Sequence, residues 1–281
     1  MKTAIVIAFD KAYYEYAPIL IKSLAQNYNG LVKLNIICIV TSEILNLSED
    51  FSNIVDEKEK LNIEFRVSEG FEKLITGREI MAEGRAAPWL NKGCYLRIFV
   101  GSVCHDFDKA IYLDVDMMAF RDIQPVLDFP QHRPFIALYD SGTMPLRSFD
   151  NQELSYFNDG MFIVDLNWWR DNSLENKMVD WINNNEPMYH VEQDVMNMFL
   201  RDIFYPLPDT MNFYRWRVDP LTVQEGEARD YNPEPLLVHY LGPCKPWNQE
   251  IYGPGEARWF NAWFDLYKQI YKKDIRERWS N

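Results

Sequence analysis

Along the first 120 residues, short uniformly apolar runs alternate with longer stretches in which apolar residues recur at helical spacing. Thr3–Phe9 is apolar and β-branched throughout, the pattern of a strand covered on both faces. Pro18–Gln26 follows with Ile19, Leu20 and Leu24 on one side, which predicts a helix. Leu34–Thr41 predicts a second buried strand and Ile63–Val67 a shorter third. Between Ser68 and Asn91, glycine, proline and charge interleave, and helical pieces with a mobile loop are expected. Cys94–Val103 is apolar at helical spacing, and Lys109–Leu113 is a short strand that ends in Asp114. Strands separated by helical stretches predict an α/β fold with a mostly parallel sheet.

The second half is more mixed. Phe135–Tyr139, Met161–Leu166 and Leu236–Leu241 read as strands, and Trp168–Asn183 and Val191–Leu200 as helices. The last segment, Arg258–Tyr271, places Trp259, Phe260, Trp263, Phe264, Leu266, Tyr267, Ile270 and Tyr271 on one broad face when projected at the helical period. A helix docked on the core is the first expectation. An interfacial membrane helix, helped by Lys272, Lys273, Arg276 and Arg278, is the second, and a dimer interface the third.

Composition narrows the partners. Twenty-nine basic against 42 acidic side chains leave a formal charge of -13, a surface that repels nucleic acid and anionic lipid. A phosphate-bearing ligand would then need a cation and a few placed basic residues. Cys38, Cys94, Cys104 and Cys244 show no CxxC spacing and read as reduced thiols, which suits a cytoplasmic protein. The apolar run Ala4–Phe9 is too short for the core of a signal peptide, and no stretch approaches the roughly 20 apolar residues that span a bilayer. With no repeat or linker in its 281 residues, the chain is expected to be one soluble domain.

Two Asp-x-Asp pairs carry candidate chemistry, Asp106/Asp108 and Asp114/Asp116. The second pair follows a buried strand, where open α/β sheets form their ligand crevice, and alternation puts both carboxylates on one side. They could grip one hard divalent cation, or they could be solvated acids in a strand-end turn. His239 ends another apolar strand; a neutral imidazole beside two carboxylates favours Mn²⁺ over Mg²⁺. Taken singly, a core histidine is the commoner reading of His239, and a surface lysine that of Lys245. Gly242 would let backbone approach a diphosphate, and Lys245 would put a point charge on it. Asn158-Asp159-Gly160 reads as a tight turn before an apolar strand, and Glu192-Gln193-Asp194 as a helix start where acids serve capping and the macrodipole.

Together and in order, these segments resemble glycosyltransferase family 8, the retaining GT-A enzymes that include glycogenin and bacterial lipopolysaccharide glucosyl- and galactosyltransferases. The landmarks are Ala8-Phe-Asp-Lys-Ala-Tyr13, Tyr95-Leu-Arg97, Leu113-Asp-Val-Asp116, Phe157-Asn-Asp-Gly-Met, Glu192-Gln-Asp-Val-Met-Asn197 and His239-Tyr-Leu-Gly-Pro-Cys-Lys-Pro-Trp247, from Ala4 to about Tyr252. The resemblance implies a GT-A fold: a Rossmann-like, mostly parallel central sheet flanked by helices. It implies a single domain over residues 1–281. Residues 1 to about 120 would bind the nucleotide, about 121–255 would complete the metal and acceptor side, and 256–281 would be a C-terminal helix.

It also implies roles, residue by residue. Ala8, Asp10, Tyr13, Arg97, Val115 and Asn158 would contact a UDP-sugar donor, with Tyr13 stacking on uracil and Gly242 and Lys245 on the phosphates. Asp114, Asp116 and His239 would hold Mn²⁺, with Mg²⁺ as the alternative ion, and Asp114 would also touch the donor. Gln193, Asp159 and Arg97 would form the catalytic group beside the transferred hexose, glucose or galactose. The amide of Gln193 is a poor nucleophile, so same-face attack is favoured over double displacement, with Asp159, Glu192 and Asp194 as rival nucleophiles. The acceptor would be a carbohydrate, glycan or protein hydroxyl. A glycogenin-like self-glucosylating protein is one alternative, with Tyr214 and Tyr231 near the His239 strand. A nucleotide-sugar hydrolase or a silent binding protein is the alternative of another class.

Overall fold

The structure is a computed structural model that describes residues 1–74, 92–140, 156–185, 190–214, 234–242, 245–248 and 257–279. β1 (Thr3–Phe9), β2 (Leu34–Val40), β3 (Leu61–Arg66) and β4 (Lys109–Leu113) lie parallel in the spatial order β3-β2-β1-β4. Beyond β4 the sheet turns antiparallel through β7 (Phe157–Asp165) and β6 (Phe135–Tyr139), and ends on the two-residue β8 (Tyr205–Pro206). A separate two-stranded sheet pairs β5 (Met117–Ala119) with β9 (Leu237–His239). The chain leaves β1 toward β2 on one side and comes back to β4 on the other. The crevice at the carboxyl ends of β1 and β4 is therefore the topological switch point, where open α/β sheets bind ligands.

Helices cover the sheet. α1 (Ala17–Asn27), opened by Pro18, and α2 (Ser48–Val55) pack Leu20, Leu24 and Phe51 on one face with Ile5, Ile36 and Cys38. On the other face lie α3 (Glu69–Glu72), a 3₁₀ segment over Lys92–Phe99, α4 (Val100–Val103), α6 (Leu166–Asp171), α7 (Leu174–Asn184) and α8 (Glu192–Leu200). They bury Phe99, Trp169, Met178 and Met196 against Val6, Tyr112 and Phe162. α5 (Gln124–Leu127) connects β5 to β6. α9 (Ala257–Tyr271) closes the β5/β9 side.

Most expected elements form, and the departures have local causes. Trp168–Asn183 is two helices: Asp165 caps α6 through the Asn167 and Trp168 N–H groups, and Ser173 at φ 51 breaks the run before α7. Asn158-Asp159-Gly160 is not a turn; it is the buried start of β7, where the pairing with β6 shifts register. Cys94–Val103 begins as 3₁₀ and continues as α4. The expected loop up to Asn91 and Tyr231 lie outside the described residues.

The apolar face of α9 is spent within the chain. Trp259, Phe260, Trp263, Phe264, Leu266 and Tyr267 are buried with Ile19, Met118 and Val238, while Asn261, Asp265 and Lys268 face solvent. Glu15 pins the far end, accepting from Tyr267 and Arg278, and its carbonyl accepts from the Tyr271 hydroxyl at 2.7 Å. The docked-helix expectation holds: most of this face packs on the core, and Ile270 and Tyr271 are partly buried against it. No helix among the described residues is long and apolar enough to cross a membrane.

Candidate active site

Antiparallel pairing of β5 with β9 sets Met117 opposite His239, and so brings the imidazole beside Asp116. His239 Nε2 lies 3.1 Å from Asp116 Oδ1 and 3.9 Å from Asp114 Oδ2. Asp114, Asp116 and His239 each offer one ligand atom within 4.8 Å of the others, a span that a single ion bonded at about 2.1 Å can bridge. Asp116 Oδ1 and His239 Nε2 are buried and have no hydrogen-bond partner among the described residues. With the imidazole proton on Nδ1 they are two buried acceptors facing each other, costly unless something positive joins them. One carboxylate oxygen and one imidazole nitrogen bare, with a second carboxylate at hand, fit a divalent cation.

Close packing makes this arrangement depend on a glycine. A Cβ on Gly160 would stand 2.2 Å from His239 Cε1 and 2.9 Å from Asp114 Oδ2. Any side chain there would push the imidazole off the carboxylates.

The two aspartates have different neighbours. Asp114 accepts from the Tyr112 hydroxyl at 2.8 Å and pairs with Arg97 Nη2 at 2.8 Å. Burial still pushes its carboxyl above the ordinary range, against the pull of Arg97. Asp116 is also pushed up by burial, but the Lys245 ammonium on its Oδ2 and the nearby His239 outweigh that and hold it below the ordinary range.

Arg97 is buried and gathers three carboxylates. Nη1 donates to Asp159 Oδ1 at 2.9 Å, and Nη2 lies 2.8 Å from Asp114 and 3.3 Å from Glu192 Oε1. One guanidinium does not offset the burial of these acids. Asp159 rises to about 6 and Glu192 to about 8, in each case through burial opposed by Arg97. Asp159 Oδ2 and Glu192 Oε2 also have no partner among the described residues. Glu192 was expected to serve a helix start, yet it caps nothing; it points inward, and Val191 before it holds φ 50, a strained value for a β-branched residue.

Gln193 sits beside this group. Its Oε1 accepts from Asn158 Nδ2 at 3.0 Å and from the Asp159 N–H at 3.2 Å. The rival Asp194 is fully occupied, by the Tyr156 hydroxyl at 2.7 Å and the His190 N–H at 2.7 Å.

The expected donor residues gather at the same crevice. Ala8 ends β1, Asp10 turns the chain by accepting the Ala12 N–H at 2.9 Å, and Val115 is buried between the two aspartates. Burial and then the charge of Asp116 push the Tyr13 phenol up. Trp247 stacks on Tyr16 at 4.1 Å and meets Tyr13 edge-on at 6.0 Å, so the Lys245–Trp247 turn is seated on the Tyr13 platform. Gly242 adopts φ 77, which favours glycine. Tyr214 is buried beside His239, with ring centroids 6.2 Å apart, so it is not an accessible acceptor tyrosine.

Sequence reasoning missed Asn212, Tyr156 and Asn197. Asn212, between Met211 and Phe213, carries no pattern that marks it, yet it links His239 to Asn158. Asn197 clamps α8 to β7 by bonding both the N–H and the carbonyl of Phe157 at 2.9 Å.

A strand-end carboxylate pair completed by a histidine, at the switch point of an open sheet, is an arrangement that could hold one metal ion, and comparison with known proteins gives the family. Residues 4–250 match the model of glycosyl transferase family 8, and the chain belongs to that family. The fold is shared with solved structures. Galactosyltransferase LgtC, in complex with donor and acceptor sugar analogs, superposes with a TM-score of 0.69 at 19% identity, covering 99% of this chain and 100% of that one. The glycosyltransferase GlyE of Streptococcus pneumoniae gives 0.65 at 20% identity, with 100% of this chain and 64% of that chain covered.

Among curated relatives, glycosyltransferase GlyF of Streptococcus pneumoniae is 26% identical over 252 residues, 88% of this chain and 58% of that protein. The lipopolysaccharide 1,2-glucosyltransferase of Escherichia coli is 26% identical over 170 residues, 57% of this chain and 50% of that protein. The chain thus spans about half of the length of these two relatives. The chain has the GT-A fold that these glycosyltransferases share.

Proposed function

We propose that this chain moves a hexose, glucose or galactose, from a UDP-sugar to the hydroxyl of a carbohydrate, glycan or protein acceptor, with retention at the anomeric carbon. The carrying observation is the pair of bare buried atoms, His239 Nε2 and Asp116 Oδ1, 3.1 Å apart at the carboxyl end of β4. A divalent ion bound there, Mn²⁺ by the mixed nitrogen and oxygen donor set and Mg²⁺ as the alternative, would supply Lewis-acid stabilisation to a leaving diphosphate.

The chain's own residues account for the rest. Tyr13 offers a ring to the base, and Gly242 lets backbone approach the phosphates. Lys245 leaves Asp116 Oδ2 to place its charge where the leaving group becomes more negative. Arg97 orders Asp159 and Glu192 beside Asp114. Gln193 and Asn158 form the neutral wall under the anomeric carbon, which favours same-face attack with the departing phosphate oxygen taking the acceptor's proton. Residues 1–281 read as one domain with a nucleotide-binding half up to about residue 120. Cys38 and Cys104 are buried thiols, which suits a cytoplasmic setting.

The test is UDP release from a panel of UDP-sugars with and without Mn²⁺. Metal-dependent release from one or two donors supports the transferase. Release that no acceptor accelerates would favour a hydrolase, and UDP binding without turnover a silent binding protein. Absence of both UDP binding and release would sink the proposal.

A further inference from the structure

From His239 a line of side chains runs away from the cation site into the protein, and all its hydrogen bonds point the same way. His239 Nδ1 is 3.0 Å from Asn212 Oδ1. Asn212 Nδ2 donates to Asn158 Oδ1 at 2.9 Å, and Asn158 Nδ2 to Gln193 Oε1 at 3.0 Å. Gln193 Nε2 donates to the Tyr156 hydroxyl at 2.9 Å, which donates to Asp194 Oδ1 at 2.7 Å. Asn212 and Asp194 are 0% exposed, His239 2%, and Asn158 and Tyr156 3%, so bulk water does not stand in for these five, while Gln193 between them is partly exposed.

The direction of the line does not depend on the histidine. A carboxylate only accepts, so Tyr156 spends its one proton on Asp194, whose other oxygen takes the His190 N–H at 2.7 Å. The His190 ring lies further from that hydroxyl, with Nδ1 at 3.4 Å. Backbone N–H groups only donate. The Asp159 N–H at 3.2 Å therefore requires the oxygen of the Gln193 amide, and the Gly160 N–H at 3.2 Å requires the oxygen of Asn158. With those amides oriented, Asn212 must show its nitrogen to Asn158 and its oxygen to His239. That oxygen needs a donor, and among the described residues a protonated Nδ1 is the one that supplies it.

We propose that this line is a tautomer relay that holds the proton of His239 on Nδ1 and keeps the Nε2 lone pair bare toward Asp116 and Asp114. Asn212, Asn158 and Tyr156 are then positioning residues for the cation site, and Asp194 is the carboxylate on which the relay ends. Imidazoles that bind metals are commonly oriented by a carboxylate or carbonyl on the other ring nitrogen, which also strengthens them as ligands. Here an amide oxygen does this directly, and the carboxylate acts through three amides and a phenol, whose head-to-tail bonds polarise one another. The same polarity bears on Gln193. Both lone pairs of its amide oxygen are taken, so it presents an N–H and not a nucleophilic oxygen to a substrate.

The inference uses the cation reading of the triad, but the tautomer itself can be measured without metal, so the two fail separately. The chain has four histidines, which makes ring-¹⁵N spectra of the metal-free protein tractable, with His239→Gln to assign the signal. The expected result at neutral pH is a single tautomer with Nδ1 protonated and Nε2 bare. Asn212→Leu, which cannot accept, should mix in the other tautomer and lower Mn²⁺ affinity without nucleotide by about 10- to 100-fold, read by electron paramagnetic resonance. Tyr156→Phe keeps the backbone anchors and removes only the end of the line. It should keep the tautomer and cost about two- to fivefold in Mn²⁺ affinity, and it serves where Asn212→Leu does not fold. A wild-type ring with its proton on Nε2 overturns the relay, as does unchanged Mn²⁺ affinity in every folded variant. A bare Nε2 in a protein that binds no divalent ion keeps the relay and overturns the cation site.

Discussion

Strand β4 has an Asp-x-Asp pair at each end, and the surroundings of the two pairs differ. At the amino end, Asp106 takes Arg66 at 2.6 Å and Lys2 at 2.9 Å, and Asp108 accepts the Lys2 N–H at 2.7 Å. Asp106 is pulled below the ordinary range, first by its bonds from Arg66. At the carboxyl end, Asp114 and Asp116 are enclosed, share one neighbourhood with Asp159, Glu192 and His239, and leave several acceptor atoms bare. Among the described residues, the four carboxylates there are paired with Arg97 and Lys245. One end of the strand is already neutralised by cations of the chain; the other has room for a charge from outside.

The strongest way to break the comparison is Asp116→Asn. Loss of a ligand to the cation should lower UDP release by more than about 100-fold while the protein stays folded, checked by release assay and circular dichroism. Next is Gly160→Ala, whose methyl would meet the His239 ring. An overpacking cost of about 1–3 kcal/mol in urea unfolding is expected, with Mn²⁺ affinity down at least about tenfold, and unchanged affinity would show that the ring can move aside.

A third test uses pH. Glu192 is raised to about 8, so the folded state holds its proton more tightly than the unfolded chain does. Its contribution is full below the ordinary range for a carboxylate and is lost as pH rises through about 8. Cation-free protein should therefore lose stability from about pH 5 to 8, no more steeply than about 1.4 kcal/mol per unit for this proton. Glu192→Gln should flatten the upper part and add about 1 kcal/mol at pH 8, leaving a lower step from Asp159, raised to about 6. Asp106 runs the other way, stabilising above the ordinary carboxylate range and losing that as pH falls. Smallest of all, Asp106→Asn should change UDP release by less than about twofold and stability by less than about 1 kcal/mol, as a partly exposed ion pair does. A large loss of activity there would erase the distinction between the two ends.

Particular residues show how far the sequence could be read. Thr3–Phe9 has the bounds of β1, and Lys109–Leu113 those of β4, because an uninterrupted β-branched or apolar run between polar residues has few other uses. The apolar stripe of α9 was equally plain, but a stripe does not say what covers it. Burial against Ile19, Met118 and Val238 is a long-range fact. Asn158-Asp159-Gly160 misled because turn residues are chosen for local freedom, and here tertiary packing used the same three for a cation-site glycine, a buried acid and an amide in the relay. Glu192 misled likewise, since acids at helix starts usually serve the helix.

Local residue patterns thus carried the α/β class, the strand ends where Asp114, Asp116 and His239 stand, and the order of landmarks that resembles family 8. Chemistry alone does not separate Asp106-x-Asp108 from Asp114-x-Asp116, since both offer the same two carboxylates at the same spacing; the place of the second pair after a buried strand singled it out. What completes that pair was decided by the folded chain. β5 pairs with β9 to carry His239 across, Gly160 makes room for it, and Asn212 orients it. The physical reason is range: periodicity reports which neighbours along the chain share a face, while desolvation, unsatisfied acceptors and net local charge depend on residues brought together from distant segments.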